Sequence, residues 1–236
     1  MRRLGPLYGG AVALVHSTPW RWPIEIADEP RSPGWVVALG LPIGAIAYIA
    51  AALAHAIGLP LTVSAVVAMA ALALASAGIV EHGVVERIDR ADGSSPTVKS
   101  ILVLVFAALA RVAALAALSP DRWIGVLVAM AVVGRWSAVF LQGLGDPILD
   151  DHAPRSLVAT PAPLWLTGAL GIGTIAIAVL ALGAKAGVAA LALTAAASFG
   201  LGLDAQRRDR GLSSPIVACA AAIGELCVLF IATVAS

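Results

Sequence analysis

The sequence predicts an all-α, polytopic membrane protein of about seven transmembrane helices, with its N-terminus in the cytoplasm. Three observations lead there. Of 236 residues, 60% are hydrophobic and only 12% charged, against about 25% charged in an ordinary soluble domain. The mean hydropathy is +0.95. The charges are also clustered, leaving long uncharged runs between them. Fifteen basic and 14 acidic side chains cannot coat a soluble domain of this length, so a bilayer is the solvent that fits.

A helix needs roughly 20 mainly apolar residues to cross the hydrocarbon core. The segments that qualify are Trp35 to Ile57, Leu61 to Val80, Ser100 to Leu118, Arg122 to Leu141, Leu164 to Gly183, Ala186 to Leu203 and Ser214 to Ala235. The sixth is alanine-rich and barely separated from the fifth, so the two read equally as a hairpin of short helices. Residues 1–34 form a cytoplasmic or interfacial N-terminal segment, and 35–236 a single transmembrane helical domain. The apolar stretch Ala11 to Val15 is too short, and too soon followed by Arg21 and prolines, to read as a signal peptide.

Orientation follows from the basic residues, which are in excess on cytoplasmic loops. Arg2, Arg3, Arg21, Arg31, Arg87, Arg90, Lys99, Arg155, Arg207, Arg208 and Arg210 fall on one side, and only Arg122 and Lys185 on the other. This places the N-terminus inside. Twelve of the 14 acidic residues share that side, Asp121 and Glu225 being the exceptions. Polar chemistry is therefore expected at the inner face.

Two charges lie deep within predicted spans. An ionised group at the bilayer centre costs on the order of 2.5–3.5 kcal/mol on insertion scales, so such groups face the bundle and find partners. Arg111 in the third span and Glu225 in the seventh are expected to pair, either as a structural tie or as part of a substrate site. Arg135, nearer the end of its span, is expected to snorkel to the interface. His55, at the outer end of the first span, reads as an interfacial or packed histidine. Cys219 and Cys227 read as small core residues.

The stretch Glu81 to Asp92 is the richest in chemistry. If the second helix continues past the membrane, His82, Glu86 and Asp89 recur at i, i+4 and i+7 on one face. Hard cations such as Mg²⁺ take carboxylates together with substrate phosphates, so this face is a candidate metal-diphosphate site. The alternative is a solvated helix end whose acids pair with Arg87 and Arg90. Asp146, Asp150, Asp151 and His152 either complete a metal site or form a polar loop. Arg207 and Arg208, with Arg210, either hold phosphate through guanidinium forks or meet anionic lipid. Nucleic-acid, nucleotide-loop, zinc and common hydrolase signatures are absent.

In layout the chain resembles the cobalamin synthase family, the membrane adenosylcobinamide-GDP ribazoletransferases. The family's glycines four apart in the first span correspond to Gly40 and Gly44. Its D-G-x-x-D-x-x-D motif corresponds to His82-Gly83-Val84-Val85-Glu86-Arg87-Ile88-Asp89, with histidine replacing the first acid. Arg111 and Arg135 match basic residues of the family's third and fourth spans. The glycine-rich start of its last helix corresponds to the stretch from Arg210-Gly211 to Glu225, with Pro215 and Ala222 in place of acids. The N-terminal element His16-Ser17-Thr18-Pro19 keeps only the family's proline, and the loop from Asp92 to Pro96 lacks its arginine and second glycine.

The resemblance implies a Mg²⁺-dependent transferase in the bacterial inner membrane, surrounded by lipid. It would join α-ribazole or its phosphate to a corrinoid substrate, adenosylcobinamide-GDP, with release of GMP. His82, Glu86 and Asp89 would hold metal, and Arg111, Arg135, Arg207 and Arg208 would hold substrate phosphate. Two other readings stand beside it. One is a non-catalytic relative serving as a homo-oligomeric scaffold or a subunit of a membrane complex; the other is a small transporter.

Overall fold

The computed structural model describes residues 6–20, 32–92, 97–145, 157–160, 162–209 and 211–235. Within them the chain is helical, with α1 Pro6–Ser17, α2 Pro33–Ala38, α3 Gly40–Ala56, α4 Leu61–Ala75, α5 Ile79–Asp92, α6 Val98–Ala116, α7 Trp123–Gln142, α8 Leu164–Leu182, α9 Ala184–Asp209 and α10 Ser214–Val234. Among the described residues six helical stretches, one of them α2 and α3 together, are long and apolar enough to cross a membrane, and a seventh span is available if α4 and α5 count as one bent span. The protein is thus a multi-pass membrane protein.

The helix α7 is the centre of the bundle. Of its most apolar window 78% is buried, against 17% for α8 and 22% for α6, whose outer faces are left for lipid. It packs on α3, α8, α9 and α10. Small residues allow the close approaches, as expected where lipid gives no hydrophobic drive to helix association. A Cβ at Gly40 or Gly44 would fall 2.7 and 2.6 Å from the Cα atoms of Val132 and Val128. The pair of glycines four apart is therefore the seam between α3 and α7. At the far end of α7, Gln142 Nε2 donates to the Leu157 carbonyl while its Oε1 accepts from the Ala159 N–H at 2.7 Å, tying the returning loop to the helix.

Two helix ends use the same device. After α3, the N–H of Gly58 donates to His55 O and that of Leu59 to Ala54 O; after α4, the N–H of Ala77 donates to Leu74 O and that of Gly78 to Ala73 O. Both are the Schellman pattern, which needs a left-handed residue just beyond the cap. Gly58 supplies it at φ 88°, but at the second site Ala77 is held at φ 56°, followed by Gly78 at 64°. The Ser76 hydroxyl reinforces the stop by donating to Leu72 O at 2.9 Å.

This stop corrects the expected second span. The helix does not run from Leu61 through Val80 and onward; α4 ends at Ala75, and α5 leaves at 80° to it. The sixth span departs in the other direction. The helix α9 has 26 residues and carries Gln206, Arg207 and Arg208 within it instead of in a loop. A single residue, Gly183 at φ 88°, joins α8 to α9.

Candidate functional site

Because α5 turns away from α4, it lies along α10 and touches α6. Gly83 makes this possible, since a Cβ there would overlap the Ala218 methyl. The acidic stretch and the start of the last helix, some 130 residues apart in the chain, are in this way brought face to face.

At the α4–α5 break lies a buried charge cluster. Arg111 of α6 places Nη2 2.7 Å from Glu225 Oε2 and Nη1 3.2 Å from Glu81 Oε1. The contact to Glu225 comes off the N–H axis, so it is an ion pair without a well-formed hydrogen bond. Arg111 is 6% and Glu225 2% exposed. Gly134 of α7 gives Glu225 its room, because a Cβ there would meet Glu225 Cγ at 2.8 Å. The Ser137 hydroxyl pins α7 to α10 beside it, donating to Ala220 O at 2.7 Å.

Arg135 does not snorkel. It is 2% exposed, and its Nη1 donates at 3.3 Å to Ala131 O one turn back on α7. The helix α7 is buried along almost its whole length, so the guanidinium stays inside the bundle. Among the described residues it makes no ion pair within 4 Å.

The candidate metal face does not converge in the same way. His82 is 79% exposed at its side chain and stands 3.8 Å from Glu86. Asp89 turns away to accept from the Thr97 N–H at 3.0 Å and the Thr97 hydroxyl at 2.8 Å, while Thr97 caps α6 by accepting from the Ser100 N–H. Burial pushes the Asp89 carboxyl up, but hydrogen bonds from Thr97 and Ser100 outweigh it and hold the group below its ordinary value. Among the described residues no three His, Cys, Asp or Glu side chains meet to hold a metal ion. A donor set of Glu86 and a neutral imidazole fits Mg²⁺ poorly, since that ion prefers oxygen. Asp146, Asp150, Asp151, His152, Arg155 and Arg210 lie outside the described residues, as do the side chains of Arg90 and Asp92.

A basic edge forms where α5 meets α9. Asp204 sits between two arginines, 3.7 Å from Arg87 Nη2 and 2.7 Å from Arg208 Nε, and Arg207 is exposed next to them. His55 is exposed at the end of α3. Cys219 and Cys227 are free thiols of α10.

Sequence reasoning missed Glu81 as the third member of the buried cluster. A signal was present, because Glu81 lies 100° around a helix from His82 and so off the face shared by His82, Glu86 and Asp89. The break itself was signalled only by Ser76-Ala77-Gly78, a short run of small residues in an otherwise apolar span. No family model, no curated protein and no solved structure matches the chain.

Proposed function

We propose that the protein is a divergent membrane transferase of the cobalamin synthase type. It would work at the cytoplasmic face of a bacterial inner membrane, attaching α-ribazole or its phosphate to adenosylcobinamide-GDP and releasing GMP. The observation that supports this reading best is the packing of α5 on α10. Two segments that resemble separate motifs of that family, His82 to Asp89 and Gly211 to Glu225, lie against each other through Gly83 and Ala218, and Arg111 joins Glu225 to Glu81, the residue just before the first segment. A site made from both motifs needs that adjacency. In this reading the diphosphate lies along the basic edge of Arg87, Arg207 and Arg208, whose guanidinium groups meet the charge that builds on the departing GMP.

A specific observation favours a second reading, a non-catalytic relative. Asp89 is spent on capping α6, and the exposed His82 stands where the resemblance expects an acid. A small transporter is the third reading, favoured by the broken span with buried charge at its break, an arrangement transporters use for substrate sites.

Complementation of a bacterial strain lacking its own cobalamin synthase separates them. Growth on cobinamide with the wild type, lost in Glu86→Ala or in the double change Arg207→Ala and Arg208→Ala, supports the transferase. No growth despite confirmed membrane expression favours the non-catalytic relative. Substrate-dependent flux in proteoliposomes would favour the transporter.

A further inference from the structure

Buried polar atoms are almost always hydrogen-bonded, to protein or to ordered water, and each exception calls for an explanation. Here the exceptions gather. Glu81 Oε2, Arg111 Nε, Arg135 Nε and Arg135 Nη2 are buried and without a hydrogen-bond partner, and Glu225 Oε2 is held only by its off-axis ion pair to Arg111. They belong to four residues on four helices that interact around one point. The other such atoms are the Ser17, Ser64 and Ser198 hydroxyls and the Trp136 indole Nε1, one each.

The chemistry of the set defines what can occupy it. Three of the atoms are N–H donors and two are carboxylate acceptors, and the formal charges of two arginines and two glutamates cancel. An anion would satisfy the guanidinium groups and be repelled by the carboxylates. A metal cation would do the reverse. Small neutral molecules that both donate and accept suit both kinds of group. Arg135 has no ion pair within 4 Å among the described residues, its Nε and Nη2 are buried without a partner, and the residue before it, Gly134, lies against Glu225.

We infer that Arg111, Arg135, Glu81 and Glu225 enclose bound water, which bridges the Arg135 guanidinium to the two carboxylates and forms a hydrated polar core inside the membrane-spanning bundle. A buried water makes about three hydrogen bonds to such groups, so about two molecules suffice for the five atoms. The break between α4 and α5 opens at this level, because Glu81 is the third residue of α5. The bundle is thus wet at the point where a span is interrupted. This inference is independent of the transferase reading, since an inactive relative with the same four residues would keep the same core.

Water-edited solid-state NMR of the full chain, labelled with ¹⁵N-arginine and reconstituted in phosphatidylcholine–phosphatidylglycerol bilayers, tests it. The Arg135 Nε signal is assigned by its loss in Arg135→Lys. The expected result is transfer of water magnetisation to the Arg135 Nε–H on the same timescale as to the exposed Arg207 and Arg208. An Arg135 signal that stays dark when those two have saturated overturns the inference. If Arg135→Lys does not fold, the wild-type spectrum decides alone. Transfer to every arginine Nε supports bound water, and dark signals matching the two buried arginines, Arg111 and Arg135, refute it.

Discussion

The contact of Gly83 with Ala218 can be tested by moving one methyl group across the interface. In Gly83→Ala the added Cβ would overlap that of Ala218, and it would lie 3.6 Å from the Cα atoms of Ala218 and Pro215. Methyl carbons pack at about 3.5–4.0 Å, so α5 must move off α10 by on the order of an ångström. Overpacking of this kind costs about 1–3 kcal/mol, offset by the ~1 kcal/mol that alanine gains over glycine within a helix. Ala218→Gly alone loses the same ~1 kcal/mol of propensity and about 0.8 kcal/mol of buried methyl. In the double variant the propensities cancel and a single methyl again fills the gap. The double variant should therefore be close to wild type, with a favourable coupling of about 2–4 kcal/mol between the two sites. The assay is equilibrium unfolding in mixed detergent micelles, followed by circular dichroism across the four-protein cycle. Single effects that add to within ~0.5 kcal/mol would show that α5 does not rest on α10 through these residues, and the adjacency behind the proposed function would go with them.

Other perturbations address the cluster and the helix ends. Arg111→Leu leaves Glu225 buried without its partner and should cost about 3–5 kcal/mol. Reversing both charges, Arg111→Glu with Glu225→Arg, should recover part of the loss in the same unfolding assay, and no recovery would count against the pair. Ala77→Gly should raise stability by about 0.5–1 kcal/mol, because a left-handed residue bearing a Cβ is strained by about 1–2 kcal/mol and glycine returns part of that as entropy. Gly58→Ala, in the matching motif, should move stability by about the same amount in the opposite direction. The Asp89 carboxyl is held below its ordinary value, so its contribution to stability is complete above the ordinary aspartate range near ~3.9. It is lost as pH falls through the lower folded value. Asp89→Asn should remove that acid-side dependence, which acid titrations of the two proteins will compare.

Much of the architecture was legible because a bilayer asks one simple thing of a sequence, a long apolar run, and the chain supplies such runs with its charges collected between them. Arg111 and Glu225 could be linked on cost alone, since neither tolerates hydrocarbon by itself. The break after α4 was harder to read. An alanine in the left-handed region looks like any other alanine in an alanine-rich span, and only Gly78 beyond it hints at a stop. That one unread turn had further effects. It redirected α5, brought Glu81 into the buried cluster and placed Asp89 against Thr97. Arg135 was misread for a different reason. Distance along a span predicts snorkelling only for a helix at the rim of the bundle, and α7 stands at its centre. The extension of α9 past Leu203 was hidden by its charges, which hydropathy reads as loop although arginine and glutamine are good helix formers.

The shortness of α4 has a consequence for the lipid around it. Fifteen residues at 1.5 Å each give about 22 Å, some 8 Å less than a hydrocarbon layer of about 30 Å. Beyond the break α5 leaves at 80° and so adds little depth; it turns Ile79, Val80 and Val84 to the core and carries His82, Glu86, Arg87 and Asp89 besides. A span shorter than the hydrocarbon layer is matched by local thinning of the bilayer, at a cost of fractions of a kcal/mol per ångström. Thinning at that corner would bring the aqueous boundary and the leaflet up to one polar helix.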